Sequence, residues 1–151
     1  MTSCLPLHIS SICVRADRIE CTVHVSHERY AFSDEALIAR CLQHFPALAC
    51  HTCRNDKGPT FGCVMNTTST PHILEHLVID LETREACDES RVFTGTTQWD
   101  QGTFDVHTGK SELCAHMAVS FEDDLVALGA LTRALEFLND TLISLRGEVS
   151  R

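Results

Sequence analysis

The segment from Thr70 to Glu85 constrains this chain more than any other. Thr70-Pro71 reads as a helix start, with Thr70 as the cap and Pro71 at the first position, where its missing N–H costs nothing. The helix runs from there to about Glu85 through Ile73, Leu74, Leu77, Val78 and Ile79, which bury its flanks. His72 and His76 are four residues apart and therefore lie one above the other on one face. Glu75, three residues from His72, shares that face. The apolar residues favour a functional site on that face, where two histidines and a glutamate alone could equally be an ordinary solvated face.

That helix sits in a chain of ordinary globular composition. At 151 residues it suits one domain spanning 1–151. Leu5 to Val14 is rich in Ile, Val and Ser and reads as a strand. Arg18 to Ser26 alternates around Ile19, Cys21, Val23 and Val25, with Ala16-Asp17 as the turn between the two. Ser33 is placed to cap a helix over Leu37, Ile38, Cys41 and Leu42, which Pro46 ends. Cys50 to Thr70 reads as loop with a short strand at Phe61 to Met65. Arg91 to Thr97 is expected as a strand, and Thr103 to His107 with Leu113 to Phe121 as a hairpin turned at Thr108-Gly109. Asp123 and Asp124 open a long helix with a stripe of Val126, Leu128, Leu131, Leu135, Leu138 and Leu142. Strands followed by helices, twice, predict an α+β two-layer sandwich, a mainly antiparallel sheet with helices packed on one face.

Charge and cysteine content narrow the partners and setting. Net charge is −9 and no Lys/Arg cluster occurs, so nucleic acid is not expected as a partner. No apolar run approaches the roughly 20 residues that span a bilayer, so no membrane contact is expected. The start, Met-Thr-Ser-Cys-Leu-Pro, lacks the basic and apolar regions of a signal peptide. Nine cysteines, an odd number, read as reduced thiols mostly buried as small hydrophobes, and the protein is expected in the cytoplasm.

His72-x-x-Glu75-His76 is the pattern of a zinc hydrolase helix. Two neutral imidazoles bind Zn2+ and leave room for a third protein ligand and a water. The metal lowers the pKa of that water to about 7, and Glu75 is placed to take its proton. The third ligand is open at this level. Glu122, at the end of a predicted strand, is the first choice; His116, His107, Cys114 and the His51/Cys53 pair are rivals. Cys50, Cys53 and Cys63 read as buried thiols rather than a second metal site, because they lack the second ligand pair of a zinc finger.

The stretch Pro46-Ala-Leu-Ala-Cys-His-Thr-Cys53, then Phe61, then Pro71 to Glu82, resembles the N-terminal domain of cyanophycin synthetases, which is similar to the His-x-x-Glu-His metallohydrolases of pitrilysin and S-ribosylhomocysteine lyase type. Phe121 to Gly129 and Val92 to Gln98 are similar to two further segments of that domain, and the resemblance runs from Ala36 to Asn139. It implies His72 and His76 as ligands, Glu75 as base and Glu122 as third ligand. Where the family carries a Gly-Arg-Thr-Arg strand, this chain has Thr96 and Gln98 in place of the arginines. A bidentate carboxylate clamp there is lost, and cyanophycin itself is not the expected substrate. The polymer-synthesising domains have no counterpart, so a synthetase is not expected.

The expectation is a zinc-dependent hydrolase of a peptide, isopeptide or related amide bond, acting on a peptide-like or small-molecule substrate, with Thr96, Thr97, Gln98 and Arg91 lining the pocket. The alternatives are a metal-containing binding or assembly module and a metal-dependent lyase of the S-ribosylhomocysteine type. A homodimer is expected, as such clefts are often completed between subunits.

Overall fold

The computed structural model describes the backbone of residues 3–105 and 110–150 and the side chains of 4–100 and 113–148. Its elements run β1 (Ser3–Cys4), β2 (Leu7–Val14), β3 (Arg18–Val25), α1 (Glu35–His44), α2 (Thr70–Glu85), β4 (Gly95–Asp105), β5 (Lys110–Ser120), α3 (Asp124–Arg146) and β6 (Val149–Ser150). β2, β3, β5 and β4 form an antiparallel sheet in that spatial order, and β1 pairs separately with β6. This is the α+β two-layer sandwich expected.

The alternation read in β3 fixes which face is covered. Ile19, Cys21, Val23 and Val25 are buried, and their neighbours across β5 are Val119, Met117, Ala115 and Leu113. α2 packs over β4 and β5, while α3 packs over β2 and β3. Ala127, Ala130 and Ala134 are fully buried on α3, small enough to let that helix approach closely. Asn139 of α3 ties the edge strand to the helix layer: its Oδ1 accepts from Leu7 N at 2.8 Å and its Nδ2 donates to Leu7 O at 3.0 Å.

Several local readings shift for identifiable reasons. The cap of α2 is Ser69, whose hydroxyl accepts from His72 N. Thr70, expected there, is turned inward and donates to Tyr30 O at 2.7 Å. Asp34, not Ser33, caps α1 through Leu37 N, because Ser33 Oγ accepts from Thr68 N instead. The short strand expected at Phe61 to Met65 is a pair of 3-10 turns, Phe61–Cys63 and Met65–Thr67. Gly62 passes against Ala49, where a Cβ would come within 2.7 Å of the carbonyl oxygen. The strand expected at Arg91 begins only at Gly95 and runs on to Asp105, with a register irregularity between Asp100 and Thr103. The Thr108-Gly109 turn and His107 lie outside the described residues. The nine thiols are unbridged, and only Cys21, Cys41, Cys53 and Cys114 are buried. Among the described residues no helix is long and apolar enough to cross a membrane.

Candidate metal centre

The first turns of α2 bring His72 and His76 together as their spacing requires, with ring centroids 5.0 Å apart. The loop that precedes the helix adds Cys53. Ligand atoms of Cys53, His72 and His76 all lie within 4.8 Å of one another, the one such three-donor group among the described residues. Cys53 Sγ stands 3.5 Å from His72 Nε2. A tetrahedral zinc with Zn–S of about 2.3 Å and Zn–N of about 2.0–2.1 Å spaces S and N by about 3.5 Å, so the pair is already set for a shared metal.

The remaining ring atoms are held by neighbours. His72 Nδ1 lies 2.8 Å from Thr68 Oγ1, which leaves Nε2 for the cluster. His76 Nδ1 lies 3.1 Å from His51 Nδ1, and His51 Nε2 lies 3.2 Å from Asp80 Oδ2. Asp80 is itself fixed by Arg84, whose Nε is 2.8 Å from Oδ1. A histidine backed by a carboxylate chain is the usual support of a metal-binding ring. His76 Nε2 is buried and has no hydrogen-bond partner. An imidazole nitrogen sealed from water without a partner is costly, and a metal ion would satisfy it. Phe61, fully buried, stacks on the His76 ring at 4.0 Å and dries the site.

Electrostatics favour the neutral imidazoles that metal binding needs. Burial, then the adjoining His72 and His51, push His76 down to about 3. Burial also lowers His72 and raises the Cys53 thiol. Glu75 is 3% exposed, and its Oε1 lies 3.9 Å from His76 Nε2. Its Oε2 accepts from Thr97 Oγ1. Burial, partly opposed by the Thr97 hydrogen bond, raises the Glu75 carboxyl to about 7. Gly95 makes room for this group: a Cβ there would stand 2.7 Å from Glu75 Oε1 and 2.8 Å from its Cγ.

The other expected site residues fall in three places. Glu122, first choice for third ligand, is not in the cluster. Its Oε1 accepts from Cys87 N at 3.1 Å, just past the C-terminal end of α2, whereas the cluster sits at the N-terminal end. Cys53, ranked as a rival, takes that place. Thr96 and Gln98 are paired with Ala118 and His116 on the open face of the sheet, around a shallow pocket of about 370 Å³ that also includes His116. Their parity is wrong for the centre, and Thr97 points to it instead. Arg91 borders a cleft of about 480 Å³ beside the centre, along with His51, His76, Asp80, Arg84 and Phe93. His116 and Cys114 lie in β5 outside the cluster.

Asp80 is the supporting residue the sequence reading did not single out; His51 stood there only as a rival ligand and Thr97 only as a pocket-lining residue. For Asp80 a signal exists, since it is four residues beyond His76 on the same helix face. Comparisons with protein-family models, curated proteins and solved structures returned no match. The class of the molecule, an α+β sandwich with a buried Cys-His-His donor cluster on one helix and the preceding loop, therefore rests on the geometry above.

Proposed function

We propose that the protein is a zinc-dependent hydrolase of amide bonds in peptides, isopeptides or similar small molecules. The carrying observation is the Cys53, His72 and His76 donor cluster, in which the buried Nε2 of His76 has no hydrogen-bond partner and lies 3.9 Å from the Glu75 carboxylate. Three donors converge, which leaves the fourth position of a tetrahedral centre open, the mark of a catalytic rather than a structural zinc. Zinc there would supply Lewis acidity and a water of pKa about 7. With a metal in place, Glu75 would take a proton from the attacking water and return it to the leaving amine. Thr97 holds the carboxylate in place, Gly95 leaves space for it, and substrate enters by the cleft bordered by His51, Arg91 and Phe93. The resemblance to the cyanophycin synthetase N-terminal domain supports the same roles for His72, Glu75 and His76. A thiolate ligand and the other unbridged cysteines suit the cytoplasm.

A thiolate among the ligands favours a second reading, a metal-dependent lyase of the S-ribosylhomocysteine type, whose family uses a cysteine as third ligand. That cysteine lies well beyond the helix, whereas Cys53 precedes it.

Purified protein should carry about one zinc per chain by elemental analysis, and Cys53→Ser or His72→Ala should lose it. Glu75→Gln should keep the metal and lose turnover of a peptide and isopeptide panel by roughly 10²-fold or more, the range for a lost general base. A folded, metal-free protein with full activity would overturn the hydrolase reading. Turnover of a thioether substrate, with none of any amide, would favour the lyase.

A further inference from the structure

Glu82 lies seven residues beyond Glu75 on α2, about 10 Å along the same helix face. It is 1% exposed, and neither carboxylate oxygen has a hydrogen-bond partner. A carboxylate so buried almost always has a partner. It lines a cavity of about 340 Å³ with Glu85, Cys87, Phe93, Glu122 and Val126.

The neighbouring acids are not equivalent to it. Glu85 pairs with Arg133. Asp123, at the same rim, caps α3 by accepting from Leu125 N and Val126 N. Glu122 is committed by one oxygen to Cys87 N. Glu82 alone among them has both oxygens unused. Arg91 is near enough to be felt but gives its Nη2 to Phe121 O. No three-donor metal cluster forms here among the described residues. The cavity is acidic at one side and apolar at Phe93 and Val126, which suits a cation carried on a hydrocarbon stem.

We propose that this cavity is a binding subsite for an organic cation, the alkylammonium or guanidinium end of a ligand, held by Glu82 and Glu122 with its stem against Phe93 and Val126. The carboxyl group without a partner, protonated in the empty cavity, would ionise as the ligand's cation arrives beside it. Phe93 borders both this cavity and the cleft beside the metal centre, so a ligand spanning the two would present a cationic group about two helical turns from the reacting bond.

The test is a titration of the whole protein with n-butylammonium, n-butylguanidinium and uncharged n-butanol, followed by amide NMR shifts. The cation that fits should move the amides of Cys87, Phe93 and Val126 and bind at least tenfold tighter than butanol. Comparing the two cations names the source chemistry. Glu82→Gln should weaken that binding at least tenfold. If that variant does not fold, Glu122→Gln at the more exposed wall gives the reading, with weakening of threefold or more. The same titration on metal-stripped protein and on Glu75→Gln should give unchanged affinity, so failure of the hydrolase reading leaves this one standing. Equal binding of butanol, unchanged affinity in the folded acid variants, or shifts confined to other parts of the sheet would each overturn the subsite.

Discussion

Replacing Glu82 with methionine should stabilise the protein, and the gain should grow with pH. Burial raises the Glu82 carboxyl from 4.5 to about 8, with Arg91 pulling weakly the other way. In the unfolded chain the same group ionises near 4.5. Between those values the folded state keeps the proton and the unfolded state has lost it. The unfolded state then binds fewer protons, so stability falls as pH rises through this window. The gap of about 3.5 units, at about 1.4 kcal/mol per unit, amounts to roughly 5 kcal/mol once pH exceeds both values, and to about 3 kcal/mol at pH 7. Below pH 4.5 the ionisation contributes nothing, and what remains is about 1–3 kcal/mol for an unpaired buried carboxyl. Methionine has similar length, no charge and no polar hydrogen to satisfy. Urea denaturation of wild type and Glu82→Met at pH 5, 6, 7 and 8 should therefore give a stability difference that widens by roughly 1 kcal/mol per unit. Other titrating groups, Glu75 included, are present in both proteins and cancel in that difference. A difference that is flat with pH, or that widens toward acid, would refute the claim that Glu82 is buried without a partner.

The centre yields three further expectations. Gly95→Ala forces the Glu75 carboxylate aside, because the new Cβ would stand 2.7 Å from Oε1; zinc content should stay the same while amide turnover falls about 10²-fold or more. His51→Ala removes the link between His76 and Asp80, and zinc affinity measured by chelator competition should drop roughly 10–100-fold. Asn139→Ala strands both the N–H and C=O of Leu7, which should cost about 2–4 kcal/mol in urea denaturation at fixed pH.

The legible part of the centre is the part written at helical spacing. His72, Glu75 and His76 share a face because 3.6 residues make a turn, and no tertiary information is needed to say so. Cys53 comes from a loop with no periodicity, nineteen residues before His72, held by backbone hydrogen bonds from Cys53 N to Pro59 O and from Phe61 N to His51 O. Glu122 looked suitable because it ends a strand, yet β5 delivers it to the wrong end of α2. Of the β4 residues, Thr96 and Gln98 failed by one position. Gly95-Thr-Thr-Gln-Trp99 has no clean apolar alternation, so its phase is unreadable, and a slip of one residue reverses the face. Pairing of Thr97 with Met117 settles that phase and sends Thr97, not Thr96 or Gln98, to Glu75.

By itself, then, the sequence determined the sandwich, the covered face of β3, and two histidines and a glutamate on one helix, because period-two and period-3.6 patterns are local. The tertiary structure alone decided the third donor, the Thr97 and Gly95 setting of Glu75, and the unpartnered state of His76 Nε2 and Glu82. Those depend on which distant atoms are absent as much as on which are present, and a missing partner leaves no mark in the order of residues.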